Sequence, residues 1–218
     1  MKEEYSQPLR IVVIGANGGI GKQVVELALK EGHHVIAILR DRTKLMITHP
    51  NLKIAEGDLM KPESIEPFLE TSNVVISAIG NSSLKKTTLY SQGNQNLIYA
   101  MEKAGAERVF FISASGIDVN PSHSFIIRLA TKYILRKILK HMYADLERME
   151  CLVKRSPLNW TIVRPPRLTD EPVTGSYRVA INRFIENPMT ISRADVAHYM
   201  IHHLLTKEIF RTTVELAY

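Results

Sequence analysis

At 218 residues, with 45% apolar and 23% charged side chains, the chain is long enough to bury a substantial core and too ordinary in composition for a disordered or fibrous protein. A net charge of +6 leaves an anionic small ligand, an anionic surface or a nucleic acid open as partner, while a single cysteine excludes an internal disulfide and fits a reducing compartment. No apolar run approaches the roughly eighteen residues a bilayer demands, and MKEEYSQPLR has no apolar stretch behind its charges, so a soluble, cytoplasmic protein with no membrane contact is expected.

In chain order, residues 11–14 (IVVI) form an unbroken apolar run, the mark of a strand buried on both faces of a parallel sheet. A helix over residues 19–31 follows, with Ile20, Val24, Leu27 and Ala28 on one face and Gly32 placed to end it. Strands are predicted over 34–39, 53–56, 74–79, 108–113 and 160–163. Between them lie a Pro-flanked helical segment over 63–69, a helix over 87–104 closed by Gly105, and a long helical region over 124–155. Pro165-Pro166 stops the sixth strand; a short strand over 177–180, a helix over 194–205 and a last strand over 213–216 complete the chain. Strands alternating with helices predict an α/β doubly wound parallel sheet, a Rossmann fold, as one domain over 1–218. Residues from about 165 to 218 form a small substrate-side segment that covers the carboxyl ends of the strands.

The stretch IVVIGANGGIG carries the chemistry. Gly15, Gly18 and Gly21 follow the first strand and open the first helix, which lets the backbone turn tightly and approach a ligand. Asn17 can take left-handed geometry or bond the turn, and Gly19 and Ile20 begin the helix whose free N–H groups would face a phosphate. Leu39-Arg40-Asp41-Arg42-Thr43-Lys44 ends the second strand, where an acid suits a ribose 2′-hydroxyl and an arginine a 2′-phosphate; Arg40 favours NADP(H), with NAD(H) open because Asp41 is adjacent. Asp58 is placed to accept from an adenine amino group with Leu59 beside the ring, or to form an Asx-turn or helix cap. Ala78, Ile79 and Gly80 are small or backbone-near residues at the end of the fourth strand, where a cofactor passes close.

These residues give the chain a family likeness. GANGGIG, ILRDRTKL, EGDLMKPESI, SPLNWTIVRPPRLTDEPVTGSYRV and ISRADVAHYMIHHLL together resemble the atypical short-chain dehydrogenase/reductase group of NAD(P)H-binding proteins, in particular its biliverdin reductase B and flavin reductase branch. The resemblance implies an NADPH-dependent reductase that passes hydride to a flavin-like, tetrapyrrole or quinone-like small-molecule acceptor. Ala114 takes the place of the branch's serine, which implies that one of its neighbours, Ser113 as the catalytic candidate or Ser115 as a substrate contact, bonds the nicotinamide amide or the acceptor, unless these hydroxyls only cap the strand end. Pro165 and Pro166 would shape the backbone along the nicotinamide and the acceptor, and Arg167 would meet an anionic acceptor or face water.

The departures are as informative. Tyr133 and Lys137 have the spacing of the dehydrogenase Tyr-x-x-x-Lys pair but lie too early, and the family's helix-borne group falls on Leu146, which carries no proton to give. A non-catalytic NADP(H)-binding redox-sensing regulator is therefore a second reading, and a sugar-nucleotide epimerase or dehydratase a third. Arg128, Lys132, Arg136 and Lys140, with Lys137, form a basic helical face opposite Ile126, Ile127, Ala130, Ile134, Ile138 and Leu139, read as solvated rather than as a nucleic-acid or membrane surface. His33-His34 and His202-His203 lack metal-ligand spacing, so no metal is expected. Cys151 reads as a packing residue, and the chain as a monomer or small homo-oligomer.

Overall fold

Alternation within one strand sets the whole architecture. In β1 (Arg10–Ile14), Ile11 and Val13 point to one face of the sheet and Val12 and Ile14 to the other, all essentially without solvent exposure. Two apolar layers must therefore cover this strand. In the computed structural model, which describes residues 7–81, 83–118 and 139–218, they do. Helices α1 (Gly19–Lys30) and α4 (Arg193–Ile201) pack on one face, and α2 (Leu89–Ala104) and α3 (Lys140–Arg155) on the other.

Beside β1 lie β2 (His34–Leu39) and β3 (Leu52–Glu56) on one side, and β4 (Val74–Ser77), β5 (Arg108–Ile112) and β6 (Asn159–Arg164) on the other, all parallel. Beyond them, β10 (Thr212–Ala217) runs parallel to β6, and β8 (Arg178–Ile181) closes the sheet antiparallel, giving the order β3-β2-β1-β4-β5-β6-β10-β8. The winding reverses between β1 and β4, which pair in register from Ile11↔Val74 to Ile14↔Ser77. The crevice beyond their carboxyl ends is where such sheets bind ligands.

The doubly wound sheet expected from sequence is present, with local differences that have identifiable causes. Residues 63–69 form two 3-10 turns, Pro62–Ser64 and Glu66–Phe68, because Pro67 has no N–H to continue a helix. A two-stranded parallel sheet of β7 (Arg167–Thr169) and β9 (Thr190–Ser192) was not foreseen. The last helix stops at Ile201 rather than residue 205, as His202 and His203 turn their Nδ1 atoms onto the carbonyls of His198 and Tyr199. Cys151, expected to pack, faces outward from α3. The basic face from Arg128 to Lys137 and the Tyr133–Lys137 pair lie outside the described residues. Among the described residues no helix is long and apolar enough to cross a membrane.

Candidate functional site

A cleft of about 1050 Å³ opens at the winding reversal. Its floor is the glycine turn between β1 and α1. Gly15 has a left-handed backbone (φ 78°), and a Cβ there would lie 2.7 Å from the Ala78 carbonyl oxygen, so this position is restricted to glycine twice over. Of the two roles open to Asn17, left-handed geometry or a bond to the turn, it does not take the first: its φ is not positive, and Gly15 has the left-handed backbone instead. Gly18 N–H bonds the Gly15 carbonyl at 2.9 Å and serves as N-cap with no side chain to cap the helix. The first turn of α1 holds no acid. Its leading N–H groups, on Gly19 and Ile20, thus meet the cleft with the helix dipole behind them, an arrangement that suits an anion. Gly21 is buried behind the turn, where a Cβ would run into Gly15, and acts in packing rather than in contact with the cleft.

At one end of the cleft stand Arg40, Asp58 and Leu59. Arg40 is exposed. Its neighbour Asp41 is engaged elsewhere: Oδ1 accepts from Thr43 N–H at 3.1 Å and from Thr43 Oγ1 at 2.6 Å. Those bonds hold the Asp41 carboxyl below its usual range. Asp58 closes an Asx-turn, Oδ1 accepting from Met60 N–H at 3.0 Å, and Leu59 is fixed by Asn96 Nδ2 donating to its carbonyl at 2.7 Å. Ala78, Ile79 and Gly80 line the wall above the turn, and Gly80 has open space beside it.

The other end is built on β5, β6 and α3. Ser113 is buried at the β5 terminus, and its Oγ donates to Glu150 Oε1 at 2.8 Å. Glu150 is gripped by Arg164, Nε to Oε1 at 2.8 Å and Nη2 to Oε2 at 2.5 Å, and Arg164 also reaches Asp118 Oδ2 at 2.6 Å. Burial works against a charged Glu150, yet the bonds from Arg164 and Ser113 hold its carboxyl below the ordinary range; Arg164 is correspondingly raised. With its proton committed to Glu150, Ser113 presents oxygen lone pairs rather than an O–H to the cleft. Ser115 N–H donates to the Pro165 carbonyl at 3.0 Å, locking the two loops together. Pro165, Pro166 and Arg167 line this end with Leu168 and Met189, while Met142, Tyr143 and Leu146 of α3 form its apolar wall.

The fold thus brings the expected residues to one cleft, Gly21 excepted, together with several that no sequence motif marks. Glu150 and Asp118 were invisible because their roles depend on Arg164 across the sheet. Tyr90, whose hydroxyl accepts from Asn81 N–H at 2.9 Å, lines the cleft and carries no motif that marks it in the sequence. Arg193 lines the cleft from α4, and its one sequence signal was a cation immediately after the helix cap Ser192.

The sequence matches the NAD(P)H-binding family over residues 15–207. The chain belongs to that family. The residues present fit the group the family binds, since the Gly15 cradle would be filled by any Cβ and the uncapped α1 terminus has its donors unspent. Among relatives, it is 32% identical over 109 residues to the photosystem II assembly factor Ycf39 of Synechocystis, covering 48% of this chain and 33% of that protein. It is 34% identical over 125 residues to a phenylcoumaran benzylic ether reductase of Nicotiana tabacum, covering 53% of this chain and 38% of that one. The two matches span 33% and 38% of the relatives' own length. In fold it is similar to a short-chain dehydrogenase/reductase of Veillonella parvula in complex with NADP (TM-score 0.80, 19% identity, 97% of this chain and 95% of that chain). An anaerobilin reductase of Escherichia coli also shares the fold (TM-score 0.71, 22% identity, 95% and 96%).

Proposed function

We propose that this protein is an NADPH-dependent reductase acting on a flat, conjugated acceptor of the flavin, tetrapyrrole or quinone class. The observation that carries the reading is the single continuous cleft: an uncapped helix terminus and Arg40 at one end, an apolar chamber under Ser113 and Leu146 at the other. Arg40 supports NADP(H) over NAD(H), because Asp41 is tied to Thr43 and does not compete for a ribose hydroxyl.

When bound, the dinucleotide supplies the hydride. The chain's own residues bind, orient and exclude water. Ser113 Oγ, whose O–H is directed at Glu150, would accept an N–H from the nicotinamide amide or the acceptor. Pro165 and Pro166 set the backbone along that end, and the residues after 165 act as the substrate-side cover. Arg167, exposed at the rim, faces an anionic group on the acceptor. Leu146 offers no proton, so the proton that accompanies the hydride comes from solvent. That apolar wall also supports a second reading, a regulator that binds NADP(H) without turnover, which the assembly-factor relative makes concrete.

The test is to mix the protein with NADPH and, separately, FMN, riboflavin, biliverdin or a quinone, and follow absorbance of the reduced nicotinamide. Consumption with at least one acceptor is expected. Tight NADPH binding with no acceptor turned over selects the regulator, and no binding at all removes both readings.

A further inference from the structure

Arg193 occupies the first helical position of α4, where the helix dipole disfavours a cation. Helix capping does not call for it. The terminus is already closed by Ser192 Oγ, which accepts from Asp195 N–H at 2.9 Å, and Asp195 supplies the acid that suits a first turn. The Arg193 side chain instead lines the cleft and lies over Gly19, the first residue of the neighbouring helix α1. A Cβ on Gly19 would stand 2.5 Å from both Cδ and Nε of Arg193. Glycine here makes room for another residue's side chain rather than for a turn.

The guanidinium has a resting partner, with Nη1 at 2.7 Å from Asp170 Oδ1. Asp170 and Arg193 each follow a residue of the register pair Thr169↔Ser192, so the β7–β9 sheet delivers both to the same level of the lip. Asp170 is 89% exposed and the Arg193 side chain 30%, so solvent screens the pair and it holds the arginine only weakly.

We propose that Arg193 is a diphosphate-binding residue: the C-terminal segment lends a second positive group to the anion that the α1 N–H groups face, and Asp170 is its partner in the free protein. The inference rests on the dinucleotide reading of the cleft. It adds that the cofactor's diphosphate bridges two parts of the chain, the glycine turn and the segment expected to cover the substrate.

Titrating the full chain with NADP+, NAD+, ADP-ribose and adenosine 2′-monophosphate, by calorimetry or intrinsic fluorescence, tests this. Arg193→Ala is expected to weaken NADP+, NAD+ and ADP-ribose alike by about 10- to 100-fold, the range for one charge-assisted contact. The monophosphate, which has no diphosphate, should change by less than about threefold, as should every ligand on Asp170→Asn, whose screened pair competes little. Arg193→Lys should restore part of the loss, and Arg40→Ala should weaken NADP+ and the monophosphate while sparing NAD+ and ADP-ribose. Wild-type protein that binds none of the four overturns the dinucleotide reading itself. Wild-type binding with unchanged ADP-ribose affinity in Arg193→Ala overturns only the assignment of Arg193. Equal losses for all four ligands with a lowered thermal midpoint mark general damage and overturn the assignment too.

Discussion

Arg40 and Asp41 are adjacent side chains with opposite preferences at a ribose, and their hydrogen bonds decide between them. Asp41 spends Oδ1 on Thr43 and sits 3.8 Å from Lys44, so the loop's acid stabilises its own turn while Arg40 stays exposed at the cleft. Arg40→Ala should therefore weaken NADPH about 10- to 100-fold, by ~1.5–3 kcal/mol for a lost charge-assisted contact, and leave NADH nearly unchanged in a fluorescence titration. Equal weakening of both would place the 2′-phosphate elsewhere. Glu150 is the residue on which the other end depends. Its two oxygens meet Arg164, Ser113 and Lys154, and its removal leaves the buried guanidinium hydrogen-bonded to Asp118 alone among the described residues, with Glu215 beside it on β10. Glu150→Ala should cost about 3–5 kcal/mol in a denaturant melt, the range for breaking a buried pair from one side. Ser113→Ala removes only a donor to that carboxylate, and about 1 kcal/mol is expected from the single bond.

Among elements, α4 and the loop before β8 are joined through one carboxylate. Asp195 accepts from the N–H groups of Thr174 and Gly175 at 2.9 and 2.8 Å, from Thr174 Oγ1 at 2.8 Å and from Tyr218 Oη at 2.6 Å. Thr174 and the left-handed Gly175 (φ 65°) of the TGSY stretch thus have a structural role, turning two consecutive N–H groups onto one carboxyl. Asp195→Ala should lower stability by about 2–4 kcal/mol through several lost bonds, seen as a shifted thermal midpoint, and should loosen the β7–β9 wall of the cleft. What the sequence made legible follows the same division. Parallel strands announce themselves as apolar runs because both faces are buried, and α2 ended at Gly105, left-handed at φ 70°, as its position implied. β7 and β9 left no trace, because three residues each, pairing only with one another, have no periodicity to read. The approach of Arg193 to Gly19 was equally hidden: it exists only once α1 and α4 share a face of the sheet.

For the whole molecule, two sets of carboxylates pull stability in opposite directions with pH. Asp195 and Glu150 are held below their ordinary range: burial opposes their charge, and the bonds from Tyr218, Gly175 and Thr174 in one case and Arg164 in the other outweigh it. A depressed native value means that the stabilisation is present above the unfolded value, about 4, and is lost as pH falls through the native one. Glu215 behaves in the reverse sense. Burial between β8 and β6 raises its carboxyl despite the N–H of Ile185 at 2.9 Å, so its contribution is full below the unfolded value and is lost as pH rises through the native one. Denaturant melts from pH 7 down to about 3 should therefore show stability falling on acidification, with Glu215 offsetting part of the fall because protonation relieves its burial. Glu215→Gln removes that offset and should steepen the loss of stability, whereas Glu150→Gln removes a depressed carboxyl and should flatten it, from a lower starting stability. A Glu215→Gln profile shallower than wild type would mean that Glu215 is stabilised as an anion in the folded chain, and the sign of its contribution would have to be reversed.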